Sequence, residues 1–293
     1  MLTPTSDCRR PRLRDLAELV RAPAALTVPG DVLAGAVAAG NLRPARVAGL
    51  AASSVCLYWA GMALNDWADR QVDAVERPDR PIPSGRVSAR TALGLAGGLT
   101  AAALSLSALA GRGPAIRTTA LLAATAWGYD LGGKNTPAGP LLMATARSLD
   151  VLVGAGDRRR KAWAPAVAVG AHILGVTAMS RGEVYGSTPL PARGALAATT
   201  VITAGTVAGA RGVPGLVTAG LAGLFATSVG PAQAAAAQDP TAGRLRAAVG
   251  AGIHGLVPLQ AAWCARRGSP VIGAALVGAL PVARRLARKV SPT

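Results

Sequence analysis

Residues 45–85 read ARVAGLAASSVCLYWAGMALNDWADRQVDAVERPDRPIPSG. The part up to residue 64 is almost wholly apolar or small, and it reaches the roughly 17–25 residues that one helical crossing of a bilayer needs. It then ends in Asn65, Asp66, Asp69 and Asp73. Continued as helix, spacings of three and four put the three carboxylates on one face, with Asn65 four residues before Asp69. Three like charges on one stripe repel, and at a membrane boundary they are costly unless a cation neutralises them. Hard oxygen donors on one face suit magnesium, which keeps waters and takes phosphate oxygens as further ligands. The next loop fits that chemistry. Pro78, Pro81 and Pro83 exclude helix, so Arg77, Arg80 and Arg86 are expected over the carboxylates, and arginine suits planar capture of phosphate oxygens.

Apolar runs of similar length recur on both sides of this stretch, near 24–40, 89–110, 115–131, 138–155, 163–180, 192–210, 213–234, 245–264 and 270–287. Of the 293 residues 51% are hydrophobic and only 15% charged, more apolar than one soluble core of this length requires. Much of the excess is Ala and Gly, small residues that let membrane helices approach closely. Gly94 with Gly98, and Gly128 with Gly132, have small-xxx-small spacing. In lipid only helices and closed barrels satisfy the backbone, and these runs are too long for barrel strands. The expected fold class is therefore all-α, a polytopic membrane bundle of nine or ten transmembrane helices. The last run is short and leads into Arg284, Arg285, Arg288 and Lys289, so a surface helix is its alternative. No long linker or low-complexity tract interrupts the chain. We expect a single transmembrane domain over 1–293, with 1–23 a cytoplasmic N-terminal segment and 284–293 a basic tail.

The net charge of +17 is compatible with nucleic acid, an acidic ligand or an anionic membrane face. Its basic residues cluster between apolar runs and never alternate with aromatics as on a stacking surface, which argues against nucleic acid and for membrane lipids. Loops on the side of the N-terminus hold the larger share of Lys and Arg, placing that terminus in the cytoplasm and the chain in the cell membrane. The loop from Asp157 to Lys161, with Arg158, Arg159 and Arg160, runs against this bias. Cys8, Cys56 and Cys264 are too few and too far apart for a disulfide framework or a zinc site. The first 20 residues do not look like a cleaved signal peptide.

The run from Asn65 to Gly85 resembles the first aspartate-rich motif of the UbiA superfamily of intramembrane prenyltransferases, an NDxxDxxxD helix end followed by an RPxRPxPSG loop. The resemblance implies helices around a central cavity and a prenyl diphosphate bound through magnesium on Asn65, Asp66, Asp69 and Asp73. Arg77 and Arg80 would assist, and the allylic group would pass to an aromatic or other lipophilic acceptor. Tyr129, Asp130 and Lys134 resemble the family's tyrosine segment, whose lysine approaches the diphosphate. On this reading Asp66, Asp69, Asp73 and Lys134 are catalytic. Arg147 lies inside an apolar run, where an unpaired charge is expensive, and is expected to face the cavity. Tyr58, Trp67, Trp127 and Tyr129 would offer ring faces to a carbocation.

The resemblance implies a second aspartate-rich motif after the sixth helix. This chain instead reads MSRGEVYG at 179–186, with Arg181 and Glu183 in its place, as in UbiA-like proteins of the EboC type. A fixed guanidinium at Arg181, oriented by Glu183, would replace one metal ion as counter-charge. The same departure supports an alternative, a membrane carrier or binding protein for isoprenoid or polar lipids that does no chemistry. Asp31 either lines the cavity or caps a helix, and His172 and His254 are expected to pack.

Overall fold

The computed structural model describes residues 11–279, apart from the side chains of Pro23, Ala24 and Leu26. Arg284 to Lys289, the proposed basic tail and Cys8 lie outside the described residues. No strand occurs among those described. The helices are α1 (Leu13–Leu19), α2 (Pro29–Ala39), α3 (Pro44–Ala68), α4 (Arg70–Glu76), α5 (Ala89–Asp130), α6 (Gly139–Ala155), α7 (Trp163–Ser180), α8 (Leu190–Val207), α9 (Gly212–Gln238) and α10 (Ala242–Arg266). A further helix, α11, covers Pro270–Ala279.

Five helical stretches are long and apolar enough to cross a membrane: Pro44–Ala68, Ala89–Asp130, Arg159–Ser180, Gly212–Gln238 and Ala242–Arg266. The 42 residues of α5 are two helices folded back on each other at Arg112, whose φ of 57° and ψ of −161° break the backbone. Trp127 Nε1 donates to Thr100 Oγ1 at 3.2 Å, and the Ser107 and Thr119 hydroxyls lie 2.8 Å apart. A straight helix, rising about 1.5 Å per residue, would hold Thr100 and Trp127 about 40 Å apart. The two runs expected at 89–110 and 115–131 are thus the arms of one hairpin. The run at 24–40 is not a continuous helix. A 3-10 helix over Ala22–Thr27 gives way to α2 at Pro29, only 11 residues long. Proline lacks the amide that would carry the helix through, and at the first helical position it loses nothing.

Packing relies on small residues at chosen places. A Cβ on Gly35 would come within 1.8 Å of the Val151 carbonyl oxygen, and one on Gly154 within 2.0 Å of that of Val32, so α2 and α6 touch backbone to backbone. The spacings singled out in the sequence behave differently. Gly94, Gly98, Gly128 and Gly132 have nothing within 4 Å of where a Cβ would stand, so that pattern marks no helix contact among the described residues. His172 is buried and packs as expected, donating from Nε2 to the Gly252 carbonyl at 2.8 Å and meeting Phe225 edge to face.

Overpacking a site bounded by backbone has no inexpensive relaxation. We expect Gly154→Val to lower stability by about 3 kcal/mol, and Gly94→Ala to leave it unchanged or raise it by about 0.5–1 kcal/mol. Thermal unfolding of the detergent-solubilised protein measures both.

Candidate functional site

The acidic stripe survives a break in its helix. α3 stops at Ala68 and α4 starts at Arg70, with Asp69 between them at φ −85° and ψ 0°. The amides of Asp69 and Asp73 still donate to the carbonyls of Asn65 and Asp69, at 2.9 and 2.8 Å, so the turns stay in register. Asp66 and Asp73 are buried and Asp69 is half-buried.

Each carboxylate meets a cation of the protein. Arg80 Nη1 lies 3.3 Å from Asp66 Oδ1 and 2.6 Å from Asp73 Oδ2, bridging the two. Arg21 pairs with Asp66 at 3.1 Å, Arg77 with Asp73 at 3.7 Å, and Lys134 Nζ with Asp69 at 2.7 Å. The loop that delivers Arg80 is closed by hydrogen bonds from Ser84 N to Arg80 O and from Val87 N to Pro81 O. Gly85 turns it at a φ of 75°, a left-handed conformation that favours glycine. Arg86 departs from expectation. It does not stand over the motif but binds Asp15 at 2.9 Å and Glu18 at 2.6 and 2.8 Å, fastening the loop to α1. Hydrogen bonding to Arg86 holds the Glu18 carboxyl below its ordinary range, against some desolvation.

Beside this cluster a cavity of about 360 Å³ descends between α3, the second arm of α5 and α6. On α3 its wall is Ser54, Tyr58, Gly61 and Asn65, one stripe about 16 Å long. Arg21, Asn65, Tyr129 and Asp130 line it at the motif's end, where Asn65 Nδ2 donates to Asp130 at 3.2 Å. Of the motif only Asn65 lines the cavity. Asp66 adjoins it through Arg21. Arg147 and Asp150 line the deep end. Arg147 pairs with the buried Asp31 at 2.7 Å, Gln260 donates to Asp31 at 2.7 Å, and Ser54 hydrogen-bonds Asp150. Arg147 therefore does face the cavity. Asp31 lies in the first turn of α2, with Val28 as the N-cap, so it does not cap the helix. Leu57, Leu122, Met143 and Ala146 make the rest of the wall apolar.

The remaining expectations divide. Tyr58 and Tyr129 line the cavity, whereas Trp67 lies under Arg70 at 4.6 Å and Trp127 is spent on Thr100 between the hairpin arms. Arg181 donates to the Thr136 carbonyl at 2.7 Å, next to the segment carrying Lys134, but it is exposed and not in the cavity wall. Glu183 does not orient it. Burial raises the Glu183 carboxyl while the nearby charge of Arg246 opposes that rise, and Arg246 donates to the Glu183 carbonyl at 3.1 Å. Sequence reasoning passed over Arg21 and Asp150. Asp150 had a signal, standing three residues after Arg147 and so on the same helix face. Arg21 had none beyond membership of a basic cluster.

Among the described residues no three acids, histidines or cysteines converge to hold a metal ion, because guanidinium and ammonium groups stand between the carboxylates. The donor set still fits a hard divalent cation. Two carboxylates converge on one positively charged nitrogen of Arg80, as they would on such an ion. Arg80→Ala should lower stability by about 1–3 kcal/mol, since Asp73 would keep only the longer Arg77 contact. Millimolar magnesium should then raise the unfolding temperature of the variant more than that of the wild type.

The chain matches the family model described as the UbiA prenyltransferase family over residues 27–227. It is 42% identical over 99 residues to the digeranylgeranylglyceryl phosphate synthase of Natronomonas pharaonis, covering 33% of this chain and 36% of that one. It is 41% identical over 85 residues to the chloroplastic chlorophyll synthase of Oryza sativa subsp. japonica, covering 27% of this chain and 22% of that one. The alignments thus span about a third or less of those relatives' length. Among solved structures, an apo UbiA homolog from Aeropyrum pernix K1 superposes with a TM-score of 0.67 at 21% identity, over 82% of this chain and 96% of that one. The match over 27–227 takes in the acidic motif, the lysine segment and the altered second segment, and by it this chain belongs to the UbiA prenyltransferase family.

Proposed function

We propose that this chain is an intramembrane prenyltransferase of the cell membrane, its N-terminus cytoplasmic, moving an isoprenoid group from a prenyl diphosphate to a lipophilic acceptor. The observation that carries the proposal is the cation-bridged acidic cluster, Arg80 between Asp66 and Asp73, beside an apolar-walled cavity. Arg21, Arg77, Arg80 and Lys134 are positioned to turn from these carboxylates to diphosphate oxygens, with Arg181 above the lysine segment as a further donor. Asn65, Asp66, Asp69 and Asp73 would hold magnesium, which when bound supplies Lewis-acid charge to the departing diphosphate.

In the reaction the allylic carbon–oxygen bond breaks, its electron pair leaving with the diphosphate, and the acceptor's nucleophilic atom bonds to the allylic carbon and sheds a proton. The guanidinium and ammonium groups stabilise the charge that develops on the leaving group. Leu57, Leu122, Met143 and Ala146 keep water from the cation, and the rings of Tyr58 and Tyr129 offer it electron-rich faces. Arg147, held by Asp31, gives the deep end a polar group for the far end of a substrate.

One observation favours the alternative of a carrier that binds prenyl lipid without chemistry. The 179–186 segment offers a single acid, and that acid lies beside Arg246. Incubating the reconstituted protein with magnesium, labelled prenyl diphosphates and a lipid extract separates the two. We expect labelled lipid and released diphosphate, with Asp66→Asn slower by about 100-fold or more. Binding without release would mean a carrier. In direct binding measurements Arg181→Ala should weaken diphosphate affinity more than Glu183→Ala, and equal affinities of wild type and Arg181→Ala at saturating magnesium would remove Arg181 from the site.

A further inference from the structure

A second concavity lies at the other end of α3. That helix of 25 residues rises about 38 Å from Arg43 to the acidic cluster, so the two sites face opposite membrane surfaces. Arg43, Arg46, Arg112 and Arg158 line the concavity, and Asp157 is the one acid among its lining residues. Among the described residues Arg43 and Arg112 make no hydrogen bond or ion pair. Arg46 and Arg158 each spend one N–H on a backbone carbonyl, Gly154 at 3.1 Å and Ala39 at 3.3 Å, which fixes them and leaves their other donors free. Among the described residues Asp157 forms no direct ion pair with any of the four, though its charge acts favourably on Arg46. Four guanidinium groups thus share one concavity with a single carboxylate.

Two backbone features hold this arrangement. Arg112 keeps a left-handed φ of 57° at the turn of the α5 hairpin, a conformation costly for a side chain with a Cβ. Gly156, at φ 64°, lets the Arg46 guanidinium lie against the chain, since a Cβ there would stand 2.2 Å from Nη2. In addition, α3 begins in the concavity with no side-chain cap on its first amides, and such a helix end favours an anion. Leu42 and Leu109 also line it, and Leu109 is 83% exposed.

Clustered arginines and an uncapped helix end call for an oxyanion with several acceptor oxygens, and the exposed leucine beside them calls for hydrocarbon. We propose that this concavity binds the phosphate headgroup of an anionic phospholipid from the leaflet opposite the acidic cluster, with an acyl chain along Leu109. This accounts for basic residues on the membrane face where the charge bias of the other loops does not expect them.

The test uses full-length protein in nanodiscs or detergent, without magnesium or prenyl substrate, so its outcome is independent of the transferase reading. In native mass spectrometry we expect phosphatidylglycerol to be retained over phosphatidylcholine with a preference on the order of tenfold. The double variant Arg43→Ala, Arg112→Gly should lose that preference and keep its unfolding temperature in phosphatidylcholine, because both side chains are exposed and glycine suits the backbone at 112. Arg43→Glu alone should also lose it. No preference in the wild type, or an unchanged preference in these variants, would overturn the proposal. Inorganic phosphate stabilising the detergent-solubilised protein as much as phosphatidylglycerol would reassign the site to free phosphate and overturn the lipid assignment.

Discussion

Arg80 stands between two buried carboxylates at the end of a membrane helix, 3.3 Å from Asp66 and 2.6 Å from Asp73. Buried charges of one sign must find the other sign close by, and much of the surrounding backbone follows from that need. The proline-stiffened loop exists at a fixed height because Arg86 fastens it to α1 through Asp15 and Glu18. Arg21 adopts a left-handed φ of 47° and reaches Asp66 from just beyond α1. Lys134 comes from the far side, beyond the hairpin, to meet Asp69. Three separate segments thus converge on one short acidic stripe, and one of them, through Arg21, also lines the cavity's upper end.

The deep end obeys the same rule with a different solution. Arg147 and Asp150 sit on one face of α6, and Asp31 comes to them because α2 starts near them and does not pass by as a full span. Close approach of α2 and α6 through Gly35 and Gly154 makes that pairing possible. An apolar span of ordinary length would have carried Asp31 on a continuous helix. The break at Pro29 therefore belongs to the cavity's construction as much as the acidic motif does.

What the sequence made legible was local. Apolar runs located the helices, including both arms of the α5 hairpin, because hydrophobic length is a property of contiguous residues. Carboxylates three and four apart announced a shared face and a need for cations, and Arg77, Arg80 and Lys134 supply them. Partner choice was not legible. Arg86 carries the same charge as Arg80 and lies six residues on, yet serves α1, since the turn at Gly85 sends it the other way. Trp67 and Trp127 are aromatic and near the site in sequence but point elsewhere, and Asp150 was passed over although its spacing from Arg147 put both on one helix face. Glycine spacing failed for a related reason. A small-xxx-small pattern states what could pack closely, and only the three-dimensional arrangement decides whether a neighbour arrives.

On the function proposed above, Arg21, Arg77, Arg80 and Lys134 hold, in the free protein, positions that a metal–diphosphate complex would take. Manganese in place of magnesium allows this to be read directly, through electron–nuclear double resonance on the purified protein with a non-hydrolysable prenyl diphosphate analogue. Tightly bound manganese coupled to phosphorus, lost when Asp66 and Asp69 are both changed to asparagine, is the predicted result. Manganese that binds without phosphorus coupling, or binds equally well to the doubly substituted protein, would contradict it.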